Sequence, residues 1–464
     1  MSGMADLPNV CVIGAGCSGI ATTKALVEAG IDVDCFERSD RVGGLWAYRE
    51  GAEKTAAYRS LHINTSRRRM EFSDHPMPDS YPDFPGHQQI ADYFESYVDR
   101  FGIRGRIRFR TEVKRAVRGA DGVWHIELAG GAVGRYAALA VANGHHWNPQ
   151  WPDPPFPGSF AGTVMHSHAF VDAQPFIGKR VLVLGMGNSA MDIAVEASYQ
   201  AERVLLAARR GAHVVPKYMF GKPIDTLATS AHIPFAIRVG MLRAMLRVVQ
   251  GPVERYGLPR PDHRLGEAHP TVSADILSRV VHGAIVAKPN IAELLGDSVR
   301  FSDGSVEKVD AIIYCTGYRV TFPFFDEAFL AAADNDLPLY RRVFKPGIPN
   351  LAFIGLVQPL GALMPLAEAQ GRWFADLLVG RYRLPADEDM VDDMGRERRQ
   401  MFARYVKSRR HTMQVDFDDY LLALSRERRR GERRARKRGN TLPVPALLAP
   451  PLLPAREDGI RATE

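Results

Sequence analysis

The chain has 464 residues and a mass of 51.5 kDa, which is enough for two or three domains with sizeable cores. Its hydrophobic fraction of 46% and charged fraction of 24% are typical of a soluble globular protein. The sequence contains no uninterrupted apolar stretch of about 18 residues. Its start lacks the basic and apolar regions of a signal peptide. We therefore expect a cytoplasmic protein.

The excess of basic residues lies in a single stretch near the C-terminus. The formal net charge is +7, from 60 Lys and Arg residues against 53 Asp and Glu residues in the whole chain. The stretch Arg426–Arg438 alone contains nine Lys or Arg and two Glu. The remainder is therefore neutral, and the charge indicates neither a basic active site nor a specific nucleic-acid partner. Because many prolines and no packing period follow the charged run, we predict that residues 425–464 form a disordered tail. Its charge leaves open a weak contact with acidic lipid.

The cysteines are isolated from one another in the sequence. They are Cys11, Cys17, Cys35 and Cys315. No CxxC pair and no Cys/His spacing indicates a disulfide relay or a zinc site, so we expect reduced structural cysteines and no metal.

The first stretch with a chemical signature is a short apolar strand, predicted over Val10–Ile13, that runs into a glycine-rich loop and a helix ending at Gly30. The three glycines of such a loop permit a tight turn, a close approach of a pyrophosphate and close helix–strand packing. The helix N-terminus adds free N–H groups and the positive end of its dipole. The residues predicted to hold a diphosphate are Gly14, Gly16, Ser18 and Gly19.

A second strand is predicted over Asp32–Phe36 and ends at Glu37. A carboxylate about 20 residues beyond the glycines binds ribose hydroxyls and repels a 2′-phosphate. Glycine loops also occur in ordinary turns, and a single strand-end carboxylate is often only solvated. The combined spacing favours a nucleotide with a free 2′-hydroxyl, such as FAD or NAD.

The chain then becomes polar, aromatic and rich in proline before a helix predicted from about Gln88 to Phe101. This polar segment is typical of a cap over a cofactor or of a long connection. Alternating residues from Ile107 to Leu128 predict a small β-layer, and Tyr136–Ala142 predicts another buried strand.

A second nucleotide unit repeats the design of the first. A strand is predicted over Arg180–Leu184, followed by a glycine loop, a helix and a strand over Arg203–Ala208. Its loop residues predicted to bind a nucleotide are Gly185, Gly187, Asn188, Ser189 and Ala190.

The strand end of the second unit carries Arg209 and Arg210 and no carboxylate. Arginines at this position bind a 2′-phosphate through charge-assisted hydrogen bonds. The alternative, a solvated strand end, is disfavoured by the glycine loop at the correct spacing. The two units together predict FAD in the first site and NADPH in the second.

Residues 213–290 resemble an insertion because prolines interrupt them, among them Pro216, Pro223, Pro234, Pro252, Pro259 and Pro261. Within it, Ile233–Gln250 is apolar and carries three arginines at helical spacing. A basic amphipathic helix on a membrane surface is one interpretation, but we favour an ordinary, partly buried helix. A hairpin over Val299–Val306 and a buried strand over Ala311–Tyr314 follow, and residues from Val343 on are expected to return to the first domain.

The predicted fold is α/β, with two Rossmann-like dinucleotide-binding domains, the second inserted into the first. We predict that residues 1–170 and 320–424 form the FAD-binding domain. Residues 171–319 form the NADP-binding domain, with its insertion at about 213–290, and 425–464 are the basic tail.

Between the two units, Phe160–Phe170 matches the pattern FxGxxxHxxx(Y/F), and with the other motifs the sequence resembles the flavin-containing monooxygenases. Phe170 stands where the related Baeyer–Villiger enzymes usually have Trp. The other matching segments are Gly43–Trp46, Asn64, Phe72–Pro76, Cys315–Tyr318, Gln358–Gly361 and Arg409–His411. The resemblance covers roughly Val10 to Leu424.

The resemblance implies that NADPH reduces FAD, that the reduced flavin forms a hydroperoxide with O₂, and that NADP⁺ stays bound to shield it. The cofactor carries the chemistry, so the protein must bind, orient and exclude water. Asn64 is implied as the catalytic residue near the flavin, although an Asn in a turn is an equal interpretation of the residues alone. His166 is expected to be structural. The resemblance adds the FAD contacts Gly44, Leu45, Trp46 and Gln358.

The predicted function is the oxygenation of a nucleophilic nitrogen or sulfur of a small lipophilic substrate by NADPH and O₂. Baeyer–Villiger oxygenation of a ketone is the alternative on the same fold. A flavin disulfide reductase is opposed by the missing CxxC, and a tail-tethered binding protein without catalysis is a further alternative. The oligomeric state is left open.

Overall fold

The structure is a computed structural model, and it describes residues 9–48, 55–227, 233–330, 335–404 and 413–439. The Arg409–His411 motif and residues 440–464 of the predicted disordered tail lie outside these ranges. None of the helices in the described ranges combines the length and the apolar character that crossing a membrane requires.

The two largest sheets of the described chain, with five strands each, are parallel, and the strands throughout are short. They are β1 (Val10–Ile13), β2 (Val33–Phe36), β3 (Ile107–Arg108), β4 (Val113–Arg118), β5 (Trp124–Leu128), β6 (Val133–Tyr136), β7 (Ala138–Val141), β8 (Gly158–Phe160), β9 (Thr163–His166), β10 (Arg180–Leu184), β11 (Arg203–Ala207), β12 (Val214–Val215), β13 (Tyr218–Met219), β14 (Lys222–Pro223), β15 (Thr271–Val272), β16 (Ile285–Lys288), β17 (Ile291–Gly296), β18 (Ser298–Phe301), β19 (Val306–Lys308), β20 (Ala311–Tyr314), β21 (Leu351–Phe353), β22 (Gln358–Leu360) and β23 (Gln414–Asp416).

The α-helices cover the sheets or connect them. They are α1 (Cys17–Glu28), α2 (Arg67–Met70), α3 (His87–Arg100), α4 (Asn188–Ala197), α5 (Phe235–Val249), α6 (Ile276–Val281), α7 (Met364–Leu378), α8 (Asp387–Arg404) and α9 (Phe417–Arg438).

The first sheet has the strand order β21-β7-β1-β2-β3, and all its pairings are parallel. Strands β1 and β7 are buried along their whole length, which is why they read as continuous apolar runs. Helices α1, α3 and α7 contribute to the core on one face of this sheet. Strand β21 joins the sheet from far along the chain, so the predicted return to the first domain is confirmed.

The second sheet has the order β16-β11-β10-β20-β9 and is also parallel. Strands β10 and β20 have the predicted bounds. Strand β9 pairs with β20, so our placement of the domain boundary at residue 170 is wrong, because Thr163–His166 already belongs to the second sheet. Strand β16 pairs with β11, so the insertion ends before Ile285 and not at about 290.

The chain passes between the two domains in two segments, and these segments lie next to each other. The amide of Gln150 donates to the carbonyl of Gly317 at 2.9 Å, and Pro149 forms an isolated bridge with Tyr318. The first crossing therefore follows β7, and the second is the Cys315–Tyr318 motif.

Helix α5 has two different faces. Arg238 is 8% exposed and its guanidinium contacts Asp416, Asp418 and Asp419. One side of α5 is therefore buried, as expected for a partly buried helix, and its contact with a membrane surface stays untested. The exposed side carries large apolar residues, namely Ile237, Met241, Val248 and Val249.

Helix α9 corrects the predicted tail, because residues 425–438 are helical and not disordered. Glu427 is 4% exposed and accepts a hydrogen bond from the Tyr382 hydroxyl at 2.9 Å, and Arg434 also binds it. Arg428 forms an ion pair with Asp376. The other basic side chains point outward: Arg426, Arg429, Arg430, Arg433, Arg436, Lys437 and Arg438.

Packing of α9 is testable at Gly431, where an added Cβ would overlap the ring of Tyr382. In the middle of a helix without such a contact, replacing Gly by Ala stabilises the folded protein by about 0.5–1 kcal/mol. We expect Gly431→Ala to destabilise by about 1–3 kcal/mol instead, since the helix must shift off the ring. Gly395→Ala in α8 is the matched control, because its Cβ would meet only the flexible end of Arg399 at 3.5 Å. Equal urea-unfolding free energies for the two variants would contradict the packing of α9.

Candidate functional site

Two glycines of the first loop are required by the protein itself. Gly14 has φ +100°, and a Cβ on it would lie 2.7 Å from the carbonyl oxygen of Ala142. A Cβ on Gly19 would overlap the carbonyl oxygen of Gly14. These contacts pack α1 against the end of β1, in agreement with the predicted roles of the first and third glycines.

Gly16 has a different surrounding. It is the N-cap residue of α1 with φ −74° and ψ −174°, a conformation that any residue can adopt. Its added Cβ would meet no described protein atom closer than the Cα of Gly44, at 3.5 Å. Gly16 and Gly44 therefore lie in contact through their backbones at the N-terminus of α1, where no side chain caps the helix. A helix N-terminus lined by glycine backbone fits the diphosphate of a dinucleotide.

The segment that carries Gly44 is held against the loop. The amide of Gly43 donates to the carbonyl of Ala15 at 3.0 Å, and Gly44–Trp46 forms a short 3-10 helix. Leu45 and Trp46 are partly exposed there, and Trp46 packs against the core. The structure thus brings the predicted residues Gly44, Leu45 and Trp46 to the first loop.

Glu37 connects the loop to the strand end. Its side chain is 7% exposed and accepts hydrogen bonds from the amides of Ala15 and Ser39, one at each oxygen and both at 2.8 Å. A carboxylate oxygen has a second lone pair, so each can still accept from a ribose hydroxyl. The position is the one predicted for an acid that selects a free 2′-hydroxyl.

A glycine that the sequence analysis missed completes this end of α1. Gly355 has φ +76°, and a Cβ there would overlap the hydroxyl of Ser18. Its amide donates to Oε1 of the fully buried Gln370 at 2.8 Å. The signal was a glycine shortly after a buried strand, one residue later than in the two recognised loops. Gln358, predicted as an FAD contact, begins β22 shortly after it.

The second loop repeats the geometry of the first. Gly185 has φ +140°, and its Cβ would lie 2.7 Å from the carbonyl oxygen of Cys315. Gly187 is the N-cap of α4, and Ala190 is fully buried where the third glycine would stand. The Asn188 side-chain oxygen accepts from the amide of Val272 at 2.9 Å, so it anchors β15. Ser189 follows in the first turn of α4.

The two arginines after β11 are both exposed but differ in their partners. Nε of Arg210 lies 3.2 Å from Asp262, in a pair whose side chains are 52% and 49% exposed. Within the described ranges no ion pair involves Arg209, so its guanidinium is available to an anion.

Asn64 lies in a bend of the first domain that faces the second domain. The carbonyl of Ile63 accepts from Lys217 at 3.2 Å, and the amide of Ser66 donates to Asp225 at 2.6 Å. The Asn64 side chain is partly exposed and has no hydrogen bond to any described residue. It is therefore available to a ligand beside the contacts between the two domains.

The comparison with known proteins agrees with this architecture. The family described as Flavin-binding monooxygenase-like matches residues 8–428. Flavin-containing monooxygenase 5 of Rattus norvegicus is 38% identical over 432 residues, covering 89% of this chain and 81% of that protein.

The chain belongs to the flavin-containing monooxygenase family.

Two further proteins show the same relationship. Dimethylaniline monooxygenase (N-oxide-forming) 2 of Rattus norvegicus is 35% identical over 446 residues, covering 90% of this chain and 82% of that protein. The solved S-allyl-L-cysteine S-oxygenase from Allium sativum has a TM-score of 0.69 at 26% identity, covering 93% of both chains. As a member of this family the chain is an NADPH-dependent FAD oxidoreductase, with FAD and NADPH as its cofactors.

The family motif around His166 has a structural place in the fold. His166 is 2% exposed at the end of β9, and its Nδ1 accepts from the amide of His168 at 3.1 Å. The ring packs against Trp151 and Tyr318 at the domain crossings. Burial lowers the pKa of His166 to about 4. A histidine that stays neutral inside such a cluster fits the structural role we expected.

This burial predicts a pH dependence of stability. Because the folded pKa of about 4 lies below the value of 6.5 for an unperturbed histidine, the unfolded chain binds the proton more tightly. The contribution of neutral His166 to the free energy of unfolding is complete above about pH 6.5 and is lost as the pH falls toward 4. We expect it to amount to about 2 kcal/mol between pH 8 and pH 5. His166→Gln should lose less stability over that interval in urea unfolding, and an equal loss in both proteins would contradict the assignment.

Proposed function

We propose that this chain uses NADPH and O₂ to oxygenate a nucleophilic nitrogen or sulfur atom of a small lipophilic substrate. Bound FAD would supply the redox chemistry by accepting hydride from NADPH and delivering one oxygen atom. The protein's own contribution is to bind both nucleotides, to orient them and to exclude water.

The observation that carries the proposal is the contrast between the two nucleotide sites. At the first, the N-terminus of α1 beside Gly16 and Gly44 would hold the FAD diphosphate and Glu37 the adenosine ribose. At the second, the N-terminus of α4 would hold the NADP diphosphate, with Arg209 and Arg210 at the 2′-phosphate. Opposite charges at the two strand ends support the proposal of one nucleotide for each site.

Asn64 is proposed as the polar group that contacts the reacting ends of the cofactors. Its amide can donate and accept at once, and its carboxamide has no described hydrogen-bonding partner. We propose that it hydrogen-bonds the nicotinamide and the oxygen-carrying part of the flavin. The position of Asn64 where the two nucleotide-binding domains meet supports this role.

The substrate class is supported by the names of two similar proteins. One is described as N-oxide-forming and the other as an S-oxygenase. Phe170, fully buried between Tyr58 and Phe176, stands where Baeyer–Villiger enzymes usually carry Trp, which favours nitrogen and sulfur over ketones.

Product analysis with three probes tests the proposal. We expect the purified holoenzyme to convert a tertiary amine to its N-oxide and a dialkyl sulfide to its sulfoxide, with one ¹⁸O atom from ¹⁸O₂ in each product. A cyclic ketone should give no lactone under the same conditions. Lactone as the only oxygenated product would contradict the proposed substrate class and establish the ketone alternative.

The location and the surface contacts are also proposals. We propose a cytoplasmic enzyme that acts on small molecules. The outward-facing basic residues of α9 suit a weak, salt-sensitive contact with an anionic lipid surface.

A further inference from the structure

A hairpin of the second domain contacts the segment that carries Asn64. Strands β13 and β14 form this hairpin, and a short 3-10 helix, Ile224–Thr226, follows it. The amide of Ile224 donates to the carbonyl of Lys217 at 3.0 Å, which closes the base of the hairpin. Lys217, just before the hairpin, and Asp225, just after it, therefore lie close together. One is cationic and the other is anionic.

Lys217 holds the chain on the N-terminal side of Asn64. Its ammonium donates to the carbonyl of Ile63 at 3.2 Å and lies 5.0 Å from the centre of the Phe84 ring. Ile63 is 1% exposed, so this carbonyl belongs to a buried stretch of backbone. Burial lowers the pKa of Lys217, while Asp192 and Asp275 favour its charged form.

Asp225 holds the chain on the C-terminal side. Its Oδ2 accepts from the amide of Ser66 at 2.6 Å and from the Ser66 hydroxyl at 2.9 Å. Ser66 is 2% exposed and is the N-cap residue of α2, where a serine hydroxyl usually accepts from the helix. Here the hydroxyl makes no such capping bond and is turned to Asp225 instead. The carboxylate therefore fixes both the backbone and the side chain of Ser66.

We propose that Lys217 and Asp225 are positioning residues that together hold Asn64 in place to contact the cofactors. Ile63 and Ser66 flank Asn64 in the chain, and both are anchored to the other domain. The Asn64 carboxamide has no hydrogen bond to a described residue, so its position is set by the backbone on either side. The inference rests on the proposed function of Asn64.

A double-mutant cycle tests whether Asp225 acts through Asn64. The variants are Asp225→Ala, Asn64→Ala and the double substitution, each as FAD-loaded protein. Two quantities are measured, namely product formed per NADPH consumed and the change in the flavin absorption spectrum when NADP⁺ is added to the oxidised protein. The spectral change requires no substrate, so it is independent of the proposed substrate class.

We expect each single substitution to lower coupling and to weaken NADP⁺ binding by a similar factor, on the order of tenfold, as for one lost charge-assisted hydrogen bond. The double variant should be no worse than Asn64→Ala alone, because residues that act as a unit are not additive. Asp225→Asn should restore most of the function, since an amide oxygen still accepts from Ser66. Tyr218→Phe is the matched control, because it removes a bond from the same hairpin to Asp83 and leaves Ile63 and Ser66 untouched.

Additive losses in the double variant would overturn the inference, as would a Tyr218→Phe effect equal to that of Asp225→Ala. Unchanged coupling and spectra in Asn64→Ala would reject the proposed role of Asn64 itself. Absence of N- or S-oxygenation in the wild type would reject the proposed substrate class, while the NADP⁺ spectra would still decide the inference. If Asp225→Ala does not fold, Lys217→Met takes its place in the same cycle, because it removes the bond to Ile63.

Discussion

Gly16→Ala should give a folded protein that no longer retains FAD. The conformation of Gly16 is open to alanine, and the new Cβ would meet no described protein atom within 3.4 Å. The same Cβ would lie beside Gly44 at the N-terminus of α1, where we expect it to meet the diphosphate and displace it from the amides of the helix. Loss of two charge-assisted hydrogen bonds of roughly 1.5–3 kcal/mol each weakens FAD binding by about a hundredfold or more. Flavin absorbance per protein after gel filtration, and titration of the apoprotein with FAD, measure the effect.

Two other glycines separate this result from general damage. Gly19→Ala should fail to fold normally, because its Cβ would overlap the carbonyl oxygen of Gly14. Gly105→Ala should keep both the fold and the flavin, because its Cβ would have no heavy atom within 4 Å. The melting temperature of the Gly16→Ala apoprotein should equal that of the wild-type apoprotein. A fully yellow Gly16→Ala protein would show that the diphosphate lies elsewhere.

The parts of the fold that could be predicted from the sequence are local. Each nucleotide unit consists of a strand, a glycine loop, a helix and a second strand within about 30 residues. Strand β10 was predicted with its observed bounds, and α1 ends near the predicted Gly30. In these units the pattern and the backbone requirements indicate the same structure.

Membership of a sheet was harder to predict, because it depends on contacts far apart in the chain. Strand β9 lies at the edge of the second sheet, and Thr163 and Val164 in it are exposed, so its sequence lacks the signature of a buried parallel strand. Only its pairing with β20 places it in the second domain. The boundary at residue 170 was therefore wrong, although the motif itself was recognised.

Helix α9 was missed because its buried face is unusual. Glu427 and Gly431 occupy positions where a helix normally buries apolar side chains, and together with the arginines they resemble a solvated charged run. Their partner, Tyr382, lies far away in the sequence. The same limit applies to Asn64, whose anchors Lys217 and Asp225 come from the other domain.

Replacement of both Arg209 and Arg210 by Ala should reduce the preference for NADPH over NADH. Each arginine at a phosphate contributes roughly 1.5–3 kcal/mol. Allowing for overlap between neighbours, the Michaelis constant for NADPH should rise by about ten- to a thousandfold. The constant for NADH should hardly change, because NADH has no 2′-phosphate. The maximal rate should change much less, since this contact is remote from hydride transfer and holds ground state and transition state about equally.

The single substitutions Arg209→Ala and Arg210→Ala should not raise the Michaelis constant for NADPH equally. Arg210 is paired with Asp262 at 3.2 Å and must leave it to bind a phosphate, whereas Arg209 has no ion pair among the described residues. Arg209→Ala should therefore raise the NADPH constant more than Arg210→Ala, by a modest factor because an exposed ion pair contributes only about 0–1 kcal/mol. Arg260→Ala, with a side chain 85% exposed on the neighbouring loop, is the control for a general loss of positive charge. If the double variant kept the wild-type preference for NADPH, the 2′-phosphate would have to bind elsewhere; Lys222 would then be the next candidate, because Lys217 is already engaged with Ile63.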